Sequence, residues 1–146
     1  MKKKTVKGFT LVELIVVIAI IGVLAAILVP SLSGYVKKSK LQSANANAKT
    51  AYEAVATYIT DEITAGNAVA AGDTTVDATT DGSGLQHTVY LALKDNGSGA
   101  GEVFVSIGAD MSLNGVQWHS SSGDTLVGQY PNAATVDNMK TFGTIS

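Results

Sequence analysis

Apolar and polar positions change their rhythm three times along the chain. From Phe9 to Val29 the positions are almost continuously apolar over 21 residues, with no charge from Leu14 to Val29. As a helix rising about 1.5 Å per residue this run spans roughly 32 Å, which matches the hydrocarbon core of a bilayer. Past Pro30 the apolar positions space out to Leu41, Ala44, Ala48, Ala51, Tyr52, Val55, Tyr58, Ile59 and Ile63. Steps of three and four mark one face of an amphipathic helix, with Gln42, Asn45, Lys49, Glu53, Thr57 and Asp61 largely between them. Gly66-Asn67 supplies a stop signal. Together the two halves predict a helical stem from about Phe9 to Ala65, on the order of 85 Å long if unbroken.

Beyond the stem the rhythm shortens. The small, polar stretch from Gly66 to Gly84 predicts an exposed loop. In "LQHTVYLAL" the residues Leu85, His87, Val89, Leu91 and Leu93 share one parity, and "EVFVSI" puts Val103, Val105 and Ile107 on one face. Both predict strands, with "KDNGSGAG" between them as a hairpin loop. Asn114-Gly115 predicts a second turn, followed by a strand over Val116, Gln117 and Trp118 and a further one within Thr125 to Tyr130. The 81 residues from Gly66 onward, twelve of them glycine, would struggle to bury a core alone, so the helix at 41–63 is expected to supply the other half. The fold class is α+β: a long N-terminal helix, half transmembrane and half amphipathic, packed on a small antiparallel sheet. The alanines of the stem either permit close approach of a sheet or of neighbouring helices, or simply favour helix.

Charge narrows the function. All ten basic residues are lysine; Lys2, Lys3, Lys4 and Lys7 crowd the first eight positions, and from Phe9 onward six lysines face twelve acids. A body this acidic is a poor binder of nucleic acid through phosphates. The chain has no cysteine, which excludes disulfides and thiolate metal sites.

Glu13 is the anomaly. A carboxylate inside an apolar span is costly and usually has a partner; alternatively it lies close enough to the headgroups to stay solvated. The apolar run exceeds the 7–15 residues of a secretory signal peptide, and lysines flank both ends, so the positive-inside rule decides little. The string Lys7-Gly8-Phe9-Thr10-Leu11-Val12-Glu13 is much more specific. It resembles the type IV pilin family. The resemblance covers about the first 30 residues; beyond Pro30 it is architectural.

The resemblance implies a leader at residues 1–8, a transmembrane and filament-core helix at 9–30, and a body at 31–146 made of an amphipathic helix (about 31–65) and a β-rich head. It implies cleavage after Gly8 by prepilin peptidase, N-methylation of the new terminal Phe9, and pairing of Glu13 with the Phe9 amine of a neighbouring subunit. Gly22 and Pro30 fall where family members carry helix breakers, and the segment between them could kink or lose helical form. Lack of cysteine departs from the disulfide-closed loop of many Gram-negative pilins and suggests a cysteine-poor branch such as those of Gram-positive bacteria. The implied function is structural: a precursor in the cytoplasmic membrane that the pilus assembly machinery polymerises into a homo-oligomeric surface filament. Two alternatives share the same N-terminus, a pseudopilin of a secretion or DNA-uptake system and a minor pilin whose head binds a ligand.

Other candidate chemistry is weak. Asp73, Asp77 and Asp81 recur every four residues but lack the ligand spacing of an EF-hand, and Asp110, Asp124 and Asp137 are spread wider still. His87 and His119 have no spaced nucleophile or ligand partner. Asn96-Gly97-Ser98 fits a glycosylation acceptor. No catalytic residue, metal or cofactor is expected.

Overall fold

The computed structural model describes residues 8–96 and 100–145. The lysine-rich start of the leader and two residues of the acceptor triplet, Gly97 and Ser98, lie outside them. The elements are α1 (Leu11–Thr64), β1 (Gly72–Asp77), α2 (Leu85–Leu93), β2 (Glu102–Ile107), β3 (Leu113–His119) and β4 (Gly128–Tyr130). The chain divides into two compact units, Met1–Val36 and Lys37–Ser146.

Among the described residues of the first unit, α1 is the only element, and every one of its residues there is exposed. The helix continues through Gly22 and Pro30. Proline removes one helical amide and clashes with the preceding turn; just beyond it the Ser31 hydroxyl donates to the Leu28 carbonyl at 2.9 Å. By length and composition this helix is long and apolar enough to cross a membrane.

In the second unit, the rest of α1 lies on an antiparallel sheet in the order β1-β2-β3-β4. Leu41, Ala44, Ala48, Ala51, Val55 and Ile59 are buried, as the helical spacing predicts, whereas Ile63 is exposed. Ala44, Ala48, Ala51, Val55 and Ile59 share one core cluster with Val103, Val105 and Ile107 of β2 and with Val116 and Trp118 of β3. The alanines serve close approach to the sheet. A Cβ on Gly128 would stand 2.1 Å from the carbonyl carbon and oxygen of Ala44, so a bare backbone on each side sets the spacing. Asn45 locks this seam: its Oδ1 accepts from the amides of Gln129 and Ala134, both at 3.1 Å, and its Nδ2 donates to the Ala134 carbonyl at 2.8 Å.

The opposite face of the sheet is covered by the C-terminal segment. Gln117 Nε2 donates to Gln129 Oε1 at 3.0 Å and to the Thr144 carbonyl at 2.6 Å, while its Oε1 accepts from the Gly143 amide at 2.8 Å. Phe142 lies on His119, ring centres 3.7 Å apart, and edge-on to Phe104 at 6.1 Å.

Five expectations are corrected. Residues 85–93 are a helix, not a strand: Leu85, Val89 and Leu93 are four apart as well as equal in parity, and the last two are buried while His87 and Leu91 are exposed. The segment after them therefore joins α2 to β2 rather than two strands. The predicted loop at 66–84 contains β1, an edge strand paired to β2 from Gly72↔Ile107 to Asp77↔Glu102, whose polar residues face solvent. Asn114-Gly115 lies inside β3; the hairpin turns instead at Gly108–Ser112, where the Gly108 amide donates to the Ser112 carbonyl at 2.7 Å and Met111 takes φ 62°. The last predicted strand shortens to the three residues of β4.

Candidate functional site

The N-terminal site begins with a capping motif. Thr10 precedes the first helical residue, and Thr-x-x-Glu is the spacing of a capping box. The Thr10 amide and hydroxyl both donate to Glu13 Oε2, at 2.8 and 2.7 Å, and Thr10 Oγ1 accepts from the Glu13 amide at 3.2 Å. Neither sequence expectation for Glu13, a partnered carboxylate or one solvated near the headgroups, involves Thr10, although the three-residue step from Thr10 to Glu13 is a sequence signal of this box.

The box has two chemical consequences. It starts the helix at Leu11, so that Gly8, Phe9 and Thr10 remain outside it. The Gly8–Phe9 peptide is thus non-helical and exposed, with no side chain on its acyl side and an 83% exposed Phe9. Hydrolysis there would create an α-amine one turn ahead of Glu13. The second consequence concerns the carboxylate: among the described residues Oε1 of Glu13 has no partner, so it retains acceptor capacity for a cation or donor from outside the chain. Around it Leu11, Val12, Leu14, Ile15 and Val16 are half or more exposed, and Gly22 faces open space.

The acidic candidates do not gather. Asp77 accepts from the Thr79 hydroxyl (2.6 Å) and amide (2.8 Å), which hold its carboxyl below the usual range. Asp81 is lowered chiefly by its 2.7 Å bond to Nδ1 of His87, on the exposed side of α2. Asp110 is lowered by the Ser112 hydroxyl and amide, and Asp124 by the Ser120 hydroxyl and the Leu126 amide. Asp77, Asp110 and Asp124 are satisfied within their own turns and Asp81 by His87, and among the described residues no three acidic or histidine side chains converge on a metal position. His119 is buried, with Nε2 on Glu102 Oε2 at 2.8 Å; its stacking on Phe142 makes it part of the sheet's cover.

Residues 3–29 match the family described as the prokaryotic N-terminal methylation motif. The chain is 40% identical over 98 residues to a fimbrial protein, EcpC, of Eikenella corrodens, covering 66% of this chain and 62% of that one. It is 41% identical over 56 residues to the type IV major pilin protein PilA of Myxococcus xanthus (38% of this chain, 26% of the relative). It is 39% identical over 64 residues to the type IV major fimbrial protein FimA of Dichelobacter nodosus (44% and 41%). The chain spans less than two thirds of the length of these curated relatives. No solved structure matches it.

Proposed function

We propose that this chain is a type IV pilin: a membrane-held precursor, cut after Gly8 and assembled through its N-terminal helix into a surface filament. One observation carries the reading. A methylation motif introduces a helix whose apolar residues from Leu11 to Val36 are unburied, with one carboxylate at its head. Such a surface must be covered, first by lipid and then by other copies of the same helix.

Glu13 gives that transfer a register. A carboxylate moved into an apolar bundle is strongly disfavoured alone and is stabilised by a cation close by in low dielectric. The new amine of Phe9 on a neighbouring subunit is the cation that cleavage makes available, and Oε1 is the oxygen left to receive it. Thr10 holds the other oxygen, so the carboxylate is oriented before the neighbour arrives. Prepilin peptidase and an assembly machinery are the partners this route requires. Its final location is the cell surface.

Mass spectrometry of the N-terminus, in sheared surface material and in the membrane pellet, tests the proposal. Abundant sheared protein beginning at Phe9 with an added methyl supports it. Processed protein confined to the membrane favours a pseudopilin, and an unprocessed start at Met1 refutes both. Glu13→Ala is expected to leave cleavage intact and reduce filament yield; normal yield from that variant would refute the pairing role.

A further inference from the structure

The second unit carries a cluster of three lysines at one end and only acids at the other. Where α1 enters it, Lys37, Lys38 and Lys40 are exposed; Asp124 shares a groove with Lys40 and Asp137 one with Lys38, but among the described residues no carboxylate lies within ion-pair distance of the three ammonium groups, and lysines outnumber acids there. Where α1 leaves, Asp61 and Glu62 occupy its last turn, and Asp73 opens β1. Gly72 pairs with Ile107, and both line a cleft with Tyr58, which brings Asp110 of the β2–β3 turn to this same end. The segments 61–74 and 107–113 contain four acids and no lysine. Glu62 accepts from Asn67 at 2.8 Å, and Asp110 is held by Ser112. Asp61 and Asp73 are exposed and, among the described residues, unpaired.

Opposite signs at opposite ends constrain how two copies meet. A parallel two-fold pair would set acid against acid and lysine against lysine, and like charges brought together oppose association; an antiparallel pair would match the charges but reverses one copy, which chains drawn from one membrane in one orientation do not do. A displaced copy instead sets the basic end of one against the acidic end of the next. Along one helix, Lys37–Lys40 and Asp61–Glu62 are separated by roughly 32–37 Å at about 1.5 Å per residue, so the displacement is about 35 Å. Such a contact uses different patches on the two partners and does not close on itself, which is the interface type that generates open helical polymers.

We propose that, in the filament read above, Lys37, Lys38 and Lys40 of one subunit contact Asp61, Glu62 and Asp73 of a second copy displaced along the filament by that distance. The contact rests on the pilin reading and adds to it a polar register for the heads, separate from Glu13. Each exposed pair is weak and screened by salt; repetition along the filament makes the set count.

Charge exchange in the full chain tests it. The variants are Lys37→Glu/Lys38→Glu/Lys40→Glu, Asp61→Lys/Glu62→Lys/Asp73→Lys, and the two sets combined, scored by sheared filament and by Phe9-started chain in the membrane pellet. Each set alone is expected to lower sheared yield by about tenfold, with the combination recovering most of it. Because the chain has no cysteine, Lys40→Cys with Asp61→Cys supplies a second readout that changes only two charges. The two positions are too far apart on one helix to bridge internally, so filaments of the double variant should yield a disulfide ladder under oxidation while each single variant yields none.

Loss of the lysine-reversed chain from the pellet, together with no ladder, would assign the lysines to lipid headgroups and overturn the contact. Wild-type yield from both reversed sets, or a combined variant no better than the worse single set, would also overturn it. Failure of the unaltered chain to form filaments would instead defeat the pilin reading, and the contact with it.

Discussion

Gly128 is a position where one added methyl group should do serious harm. It pairs with Trp118 in β4, and the obstacle to a side chain is space alone. A Cβ there would lie 2.1 Å from the Ala44 carbonyl carbon and oxygen and 2.5 Å from the Asn45 amide, whereas carbon contacts settle near 3.5–4.0 Å. In Gly128→Ala, α1 must therefore retreat from β4 by about 1.5 Å. The retreat stretches the three Asn45 bonds, already 2.8–3.1 Å long, and opens the alanine seam over Val116 and Trp118. Overpacking costs about 1–3 kcal/mol, and weakening three hydrogen bonds adds roughly 1–2 kcal/mol. A total near 4 kcal/mol is a large fraction of the roughly 5–15 kcal/mol that hold a domain folded.

Trp118 reports the effect. It is the only tryptophan, buried, with Nε1 donating to the Ala100 carbonyl at 2.7 Å. Urea unfolding of the full chain in detergent micelles, followed by its fluorescence, should shift to a lower midpoint by about 2 M at an m-value near 2 kcal/mol/M. Adding Ala44→Gly should not restore the midpoint, because the clash is with backbone. A shift below about 0.5 M, or rescue by Ala44→Gly, would refute the reasoning.

Three further outcomes are expected. Gln117→Leu strands the Gly143 amide and the Thr144 carbonyl and removes the bond to Gln129 Oε1, so the second unit should lose on the order of 3 kcal/mol in the same urea assay, and the C-terminal residues should become open to carboxypeptidase. Thr10→Ala removes the cap and should cost the first turn about 1 kcal/mol, read as roughly fivefold faster amide exchange at Leu11–Glu13 in micelles; unchanged exchange would dismiss the box. Asp124, held low by Ser120 and the Leu126 amide, contributes stability that is fully present above its unfolded pKa of about 3.9 and is lost as pH falls through its lower folded value. The melting temperature should therefore drop below about pH 4, and Ser120→Ala should flatten that drop; an equal slope in the variant would count against the assignment.

Much of the fold is written in short-range pattern. The burial of Leu41 through Ile59 follows from spacing, and so does the shared face of Val103, Val105 and Ile107. The failures have physical causes. Leu85, Val89 and Leu93 satisfy a helical and a strand period at once, and the choice is made by packing. Asn114-Gly115 carries a turn signal, but Gly115 serves contact instead, since a Cβ there would stand 2.9 Å from Ile145. At the N-terminus, Glu13 stands out because a charge interrupts an apolar run, whereas Gly8 and Phe9 stand out only through the family resemblance of the string from Lys7 to Glu13. Thr10 is legible too, since Thr-x-x-Glu ahead of an apolar run is the spacing of a capping box, but a search for chemistry passes over it. Nothing local foretold that Gln117, Gln129 and Phe142 would meet, since that cover joins segments far apart in sequence.

That cover settles how the head keeps its end shut. Amide groups and one aromatic ring hold residues 141–145 against the sheet, where a covalent clasp would need an oxidant and an enzyme to set it. Closure by such bonds is independent of redox state. A sheet that sheds this cover can take it back unaided, with no wrongly paired partner to undo.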